Sequence, residues 1–285
     1  MDVRGLGYLG LETADLAGWT TFATEVLGLM VAPHSTDEVV QLKLDERAHR
    51  FTVVAGERDR LAYTGWEVAD QATLAALAER LLAAGIELTP ATDEELERRH
   101  VRAMHWCLDP SGMRVELFHT PVLDHVRFTS PAGVPRFVTD DLGMGHVVLL
   151  ASDFEGSCAF YTDLLGFRLS DSMSLDGMPL RFLHTNGRHH SLALAPHHTS
   201  RLAHLMLEVP SVDDVGECLD RCLSHEVPVA QTLGRHTNDR MLSFYLRAPR
   251  GYEVEYGCQG RVIDVDGWAT SEITAVSFWG HHRQG

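Results

Sequence analysis

Two histidines and a glutamate are the residues of this sequence whose types and settings suggest chemistry. His146 lies between Met144-Gly145 and the apolar run VVLLA, and His204 between RLA and LMLEV. An imidazole inside such a run is costly unless it has a partner. Glu255 closes the segment Gly234–Glu255, GRHTNDRMLSFYLRAPRGYEVE, which also carries His236, an Asn-Asp pair and Tyr245. The flanks LSFYL and YEVEY read as strands from their aromatic and β-branched content. The Ala-Pro-Arg-Gly run between them reads as a turn. Two neutral imidazoles and one carboxylate make the facial set that holds non-haem Fe(II) and leaves coordination positions open; Mn(II) accepts the same set.

The elements that would position these residues come from an internal repeat. Gly145–Phe167 aligns with Gly7–Leu29: Asp153 falls on Asp15, Gly156 on Gly18, Phe160 on Phe22, and Leu165-Gly166 on Leu27-Gly28. RLAHLMLEV (201–209) aligns with RLAYTGWEV (60–68), and PRGYEVE (249–255) with PSGMRVE (110–116). The offsets are nearly equal throughout, which marks a duplicated domain. In this alignment His146 falls on Tyr8, His204 on Tyr63 and Glu255 on Glu116. The first copy lacks the two ligand nitrogens, so no metal is expected there. Glu253 shares a strand face with Glu255 but falls on Met113, so Glu255 is the expected ligand.

Within each copy the pattern β-α-β-β(-β) runs twice, which predicts an α+β fold of βαβββ modules, two per domain. Asp15 and Ser211 are predicted helix caps, and DQATLAALAERLLAAG is a predicted helix. Leu74, Leu77, Leu81 and Leu82 recur at helical spacing, as do Val215, Leu219 and Cys222. The division is 1–122 for a first domain without metal, 123–139 for a linker, 140–262 for a metal-binding domain and 263–285 for a tail with no assigned role.

Charge and composition exclude some functions. The formal net charge is −16, with Asp+Glu 40 against Lys+Arg 24. No nucleic acid is expected as a partner, since that needs a basic face, and no anionic membrane either. No run is long and apolar enough to span a bilayer. The N-terminus MDVRGLGYLGLETAD has no basic stretch followed by an apolar one, so no signal peptide is expected. Five cysteines form no regular framework, and Cys218 and Cys222 read as packing thiols; a reducing cytoplasm fits.

The residues resemble the type I extradiol ring-cleavage dioxygenases of the vicinal oxygen chelate superfamily, in particular two-domain 2,3-dihydroxybiphenyl 1,2-dioxygenases. The resemblance covers about Leu6–Arg261. Its most specific part is G-x-H-x7-F-Y-x2-A-P-x-G-x3-E, Gly234 to Glu255. LGMGHVVL, RHHSLALA and LAHLMLEV are similar to further family landmarks. The resemblance implies two incomplete barrel-like mixed-sheet domains, Fe(II) on His146, His204 and Glu255, and O2 as co-substrate. It implies that His190 is the acid/base residue beside the O2 position, with strand alternation turning the adjacent His189 away. It implies that His236 and Tyr245 contact the substrate, with Asn238 and Asp239 orienting them. The activity it implies is meta cleavage of a bulky catechol such as 2,3-dihydroxybiphenyl, by a cytoplasmic homo-oligomer. Two readings compete on the same fold: a metal-dependent glyoxalase or epimerase, and a binding protein without catalysis. Val148, Phe182 and Met144 are candidates for the walls of a ring-sized pocket.

Overall fold

The structure is a computed structural model that describes every residue except Arg250. Each half of the chain builds one mixed β-sheet. The first contains β1 (Val3–Thr13), β2 (Met30–Val31), β3 (Val39–Lys43), β4 (Phe51–Ala55), β5 (Arg60–Val68), β6 (Thr89–Pro90), β7 (Val101–Leu108) and β8 (Arg114–Pro121). Their order is β2-β3-β4-β1-β5-β8-β7-β6. The second contains β9 (His146–Ala151), β10 (Arg168–Leu175), β11 (Met178–His184), β12 (Leu192–Pro196), β13 (Arg201–Glu208), β14 (Val229–His236), β15 (Leu242–Arg247), β16 (Glu253–Cys258), β17 (Ser271–Ile273) and β18 (Ser277–Trp279). Their order is β17-β10-β11-β12-β9-β13-β16-β15-β14-β18.

Strands β9 to β16 repeat the order of β1 to β8 strand for strand. In each sheet a central antiparallel pair, β1 with β5 or β9 with β13, has a parallel neighbour on either side. Parallel neighbours need a crossover, and the helices supply it. This is the α+β, duplicated βαβββ architecture that the repeat predicts. The registers sharpen the comparison. Leu9 pairs with Phe51 and Val147 with Leu192. Tyr8 and His49 therefore hold in the first sheet the places that His146 and His190 hold in the second.

The helices are α1 (Leu16–Thr21), α2 (Gln71–Ala83), α3 (Asp93–Arg99), α4 (Phe154–Ala159) and α5 (Val212–Ser224). Asp15 and Ser211 cap α1 and α5 as expected, and Asp70 caps α2. Leu74, Leu77 and Leu81 are buried, but Leu82 is 57% exposed, since one residue further turns the side chain about 100° round the helix. Leu219 is half-buried, between buried Cys218 and Cys222. Helix α3 has a Thr92/Glu95 capping box that the sequence reading passed over.

The largest apolar cluster among the described residues runs between the halves. Trp66 on β5 is fully buried and meets Phe167 edge-on with ring centroids 4.9 Å apart. Trp19 on α1 lies 6.1 Å from Tyr252. The segment 123–139 bridges the halves: Lys43 Nζ donates to the Asp124 carboxylate at 2.8 Å, Val134 and Phe137 are buried, and the Val138 N–H donates to the Glu208 carbonyl at 2.8 Å. The tail also has a place. β17 pairs parallel with β10 and β18 antiparallel with β14, so the tail adds one strand at each edge of the second sheet. β15 and β16 pair antiparallel, as the arms of a hairpin should. The Ala-Pro-Arg-Gly turn expected between them includes Arg250 and lies partly outside the described residues. Among the described residues, no helix is long and apolar enough to cross a membrane.

Candidate metal centre and substrate cavity

The second sheet brings His146, His204 and Glu255 to one point from β9, β13 and β16. Met206 pairs across β9 with His146 and across β16 with Glu255, which fixes the three strands in register. Gly145 permits the close approach. Its φ is +147°, and a Cβ there would lie 2.0 Å from the Met206 carbonyl oxygen, so only glycine fits before His146.

His146 Nε2 lies 3.3 Å from His204 Nε2 and 3.1 Å from Glu255 Oε2, and His204 Nε2 lies 3.5 Å from that oxygen. Such a triangle suits one ion, because ligand atoms about 2.1 Å from a metal and at right angles are about 3 Å apart. His146 and Glu255 are almost wholly buried, and His146 Nδ1 has no hydrogen-bond partner. Burial raises the Glu255 carboxyl, but hydrogen bonds from His146, His204 and His236 outweigh it and hold the group well below the usual range. Burial lowers the His146 imidazole, against the pull of Glu255. A carboxylate facing a neutral imidazole and a second ring nitrogen is a donor set, and the residues fit a divalent transition ion.

The other expected residues surround this triangle. His190 stacks on His146 with centroids 4.0 Å apart. Of the pair, His190 lines the cavity and His189 does not, although both residues precede β12 rather than lying in it. His189 Nδ1 lies 3.1 Å from His190 Nδ1, and its Nε2 lies 2.8 Å from Asp171 Oδ2. If His189 donates from Nε2 to Asp171, its Nδ1 accepts from His190 Nδ1–H. That assignment leaves His190 Nε2 for the cavity. Burial, then the neighbouring His146 and His189, hold His190 well below the ordinary imidazole range.

His236 Nε2 lies 2.8 Å from the Tyr245 hydroxyl and 3.3 Å from Glu255 Oε1, while its Nδ1–H donates to the Val276 carbonyl at 3.1 Å. Burial lowers this imidazole, but the hydrogen bond and charge of Glu255, with Asp239 behind, push it up to about 9. Burial and then Glu255 raise the Tyr245 phenol well above its usual range. Asn238 is buried with Oδ1 unpartnered; Asp239 accepts from the Met241 N–H at 3.0 Å and lies 3.8 Å from His190 Nδ1.

Two contributors escaped the sequence reading. The Ser243 hydroxyl donates to Glu255 Oε1 at 2.6 Å. His281, in the tail, stacks on His236 at 4.0 Å, donates from Nε2 to the Ser243 carbonyl at 3.0 Å and meets the Ser277 hydroxyl through Nδ1 at 2.6 Å. Ser243 could have been found as the residue two before Tyr245 on the same strand face; nothing local signals His281.

These groups form the floor of a cavity of about 740 Å³. Met173, Leu180 and Ala203 line it together with Val148 and Phe182, while Met144 lies in the core instead. The wall is apolar and the floor polar, the usual division in a small-molecule site. In the first sheet the equivalent place is filled from within. Arg99 grips Glu116 with both ends at 2.8 and 2.9 Å, the Tyr8 hydroxyl donates to Glu116 at 2.8 Å, and the guanidinium lies 3.7 Å over the Tyr63 ring.

The chain is similar to known proteins along nearly its whole length. The pattern of the Glyoxalase/Bleomycin resistance protein/Dioxygenase superfamily matches residues 143–256, and that of the dihydroxybiphenyl dioxygenase first domain matches residues 6–56. The chain is 44% identical to an iron-dependent extradiol dioxygenase of Rhodococcus jostii, covering 99% of this chain and 97% of that one. It is 42% identical to a biphenyl-2,3-diol 1,2-dioxygenase of Paraburkholderia xenovorans, over 99% and 96% of the two chains. A solved 2,2',3-trihydroxybiphenyl 1,2-dioxygenase of Sphingomonas wittichii superposes with a TM-score of 0.88 at 32% identity, over 99% of this chain and all of that one. The chain belongs to the extradiol dioxygenases of this superfamily.

Proposed function

We propose that the protein cleaves the ring of a catechol beside its two hydroxyls, inserting both atoms of O2, at an Fe(II) held by His146, His204 and Glu255. The observation that carries this is the triangle of donor atoms at the floor of an apolar cavity. Bound Fe(II) would supply open coordination positions for diol and O2 and a path for electrons between them. Mn(II) is the alternative ion for the same donors.

The protein's own groups have separate tasks. Glu255, ionised and buried, contributes the negative charge of the donor set. His236 Nε2 and the Tyr245 hydroxyl, 2.8 Å apart, address the substrate oxygens and fix the ring. His190 is held neutral, so it must accept a proton at Nε2 before it can donate one. The diol hydroxyl is the source beside it. Asn238 and Asp239 orient this face. The apolar walls exclude water and accommodate a substituent, which favours bulky or bicyclic catechols such as 2,3-dihydroxybiphenyl. The glyoxalase and binding-protein alternatives leave the cluster of His190, His236 and Tyr245 without a task.

The same reading divides the chain into 1–122, a linker 123–139, a catalytic domain 140–262 and a tail 263–285, supported by the two separate sheets. A cytoplasmic location draws support from five free cysteines. A homo-oligomer draws support from exposed Phe278 and Trp279 on the outer strand β18.

The test is oxygen uptake by protein loaded anaerobically with Fe(II), offered catechol, 3-methylcatechol, biphenyl-2,3-diol and 1,2-dihydroxynaphthalene. A yellow ring-opened product and a higher kcat/KM for the two-ring diols are expected. Absence of oxygen uptake with all of them overturns the proposal.

A further inference from the structure

The first sheet holds a histidine cluster that the reading above does not use. His34 lies between β2 and β3, His49 just before β4, and His100 between α3 and β7. Their ring nitrogens come within 4.8 Å of one another, with the His34 and His100 ring centroids 4.2 Å apart and those of His49 and His100 5.5 Å apart. We propose that these three imidazoles form a second metal site, for a borderline transition ion such as Zn(II).

The first support is His49. It is 4% exposed, and neither of its ring nitrogens has a hydrogen-bond partner. A neutral imidazole is both donor and acceptor, so leaving both nitrogens bare in the interior demands a partner the polypeptide does not supply. The second is convergence. His100 has left-handed backbone, φ 51°, at the C-terminus of α3, and this places its ring between the other two. A small cavity of about 10 Å³ adjoins His49 and His100, on the side away from His34, room for about one ion or one water. His34 is exposed and gives an entry path.

The charges nearby do not forbid a cation. Arg47, which also lines the small cavity, is paired with Glu67 at 2.8 Å, Arg50 with Asp45 and Arg99 with Glu116. The Asp124 carboxylate faces both His34 and His100, though Lys43 shares it at 2.8 Å. Burial lowers all three imidazoles below their ordinary range, which frees their lone pairs near neutral pH. Three nitrogen donors select zinc, copper, nickel or cobalt over hard ions such as magnesium or calcium.

This site is not the place equivalent to the catalytic one, which Arg99 fills. It is built around His49, the duplicate of His190. A bound ion would tie the β2–β3 loop, the approach to β4 and the α3–β7 junction together.

The test is equilibrium dialysis of the full chain, stripped of metal, against chelator-buffered Zn(II), with bound metal counted per chain. Two ions are expected in the wild type and one each in His34→Gln and His146→Ala. The ion remaining in His146→Ala should raise its Tm, and His34→Gln should lose that part of the zinc-induced rise. His49→Ala should repeat the His34→Gln count. A zinc count unchanged by His34→Gln, or no zinc on His146→Ala, overturns the proposal and indicates a bridging water instead. One ion that His34→Gln abolishes and His146→Ala leaves would support this site while sinking the catalytic ligand assignment.

Discussion

Glu255 carries more of the proposed chemistry than any other side chain, and it is held by a neighbour outside the donor set. The Ser243 hydroxyl, 2.6 Å from Oε1, leaves Oε2 to face the two imidazoles. Outer hydrogen bonds of this kind typically govern 10–100-fold in metal affinity. Ser243→Ala is therefore expected to weaken Fe(II) binding about tenfold or more, measured by competition with a chelator; unchanged affinity would show that Ser243 does not orient the carboxylate. Asp171 acts at greater range, through His189 upon His190. Asp171→Asn should lower kcat with iron content intact and shift the pH profile of kcat, because the tautomer of His190 is no longer imposed. A fall in kcat with an unmoved pH profile would leave Asp171 a merely structural role.

At the level of elements, β9 and β13 approach because Gly145 allows it. Gly145→Ala must move the backbone around His146, and the expected result is loss of bound iron on metal analysis with the far-UV spectrum kept. Helix α3 does different work, delivering Arg99 to Glu116. Arg99→Met would strand a buried carboxylate, which costs about 3–5 kcal/mol when no other partner is present. Arg114 Nε remains 2.9 Å from Glu116 Oε1 and the Tyr8 hydroxyl still donates to Oε2, so about 3 kcal/mol is expected from chemical denaturation, with the iron site untouched. These cases show what was legible beforehand. His146, His204 and Glu255 could be picked out because the duplication sets them beside Tyr8, Tyr63 and Glu116. The sheets were legible for the same reason. Helix α3 was not, being too short to show a period, and neither was His281, which reaches the cavity only because β18 pairs with distant β14. His190 was legible as the member of the pair that faces the cavity, although the segment before β12 is not a strand and alternation is not what sets its direction.

Across the whole molecule, the two sheets share a core, and this decides how it should unfold. Trp66 belongs to the first sheet, yet its ring meets Phe167 and Tyr161 of the second half, at 4.9 and 6.4 Å. A fully buried aromatic at such a junction couples the stabilities of the parts it joins. The wild-type protein should therefore lose bound iron and native tryptophan fluorescence in a single denaturant transition. Trp66→Ala removes a ring that the structure cannot refill, at a cost of about 3–5 kcal/mol. Because the loss falls on the junction, the transition should also divide: the first half unfolds at lower denaturant, while the second keeps its iron until a higher concentration. Iron release and fluorescence would then report two midpoints instead of one. Coincident midpoints in Trp66→Ala would mean that other contacts, such as Trp19 with Tyr252, suffice to hold the halves as one cooperative unit.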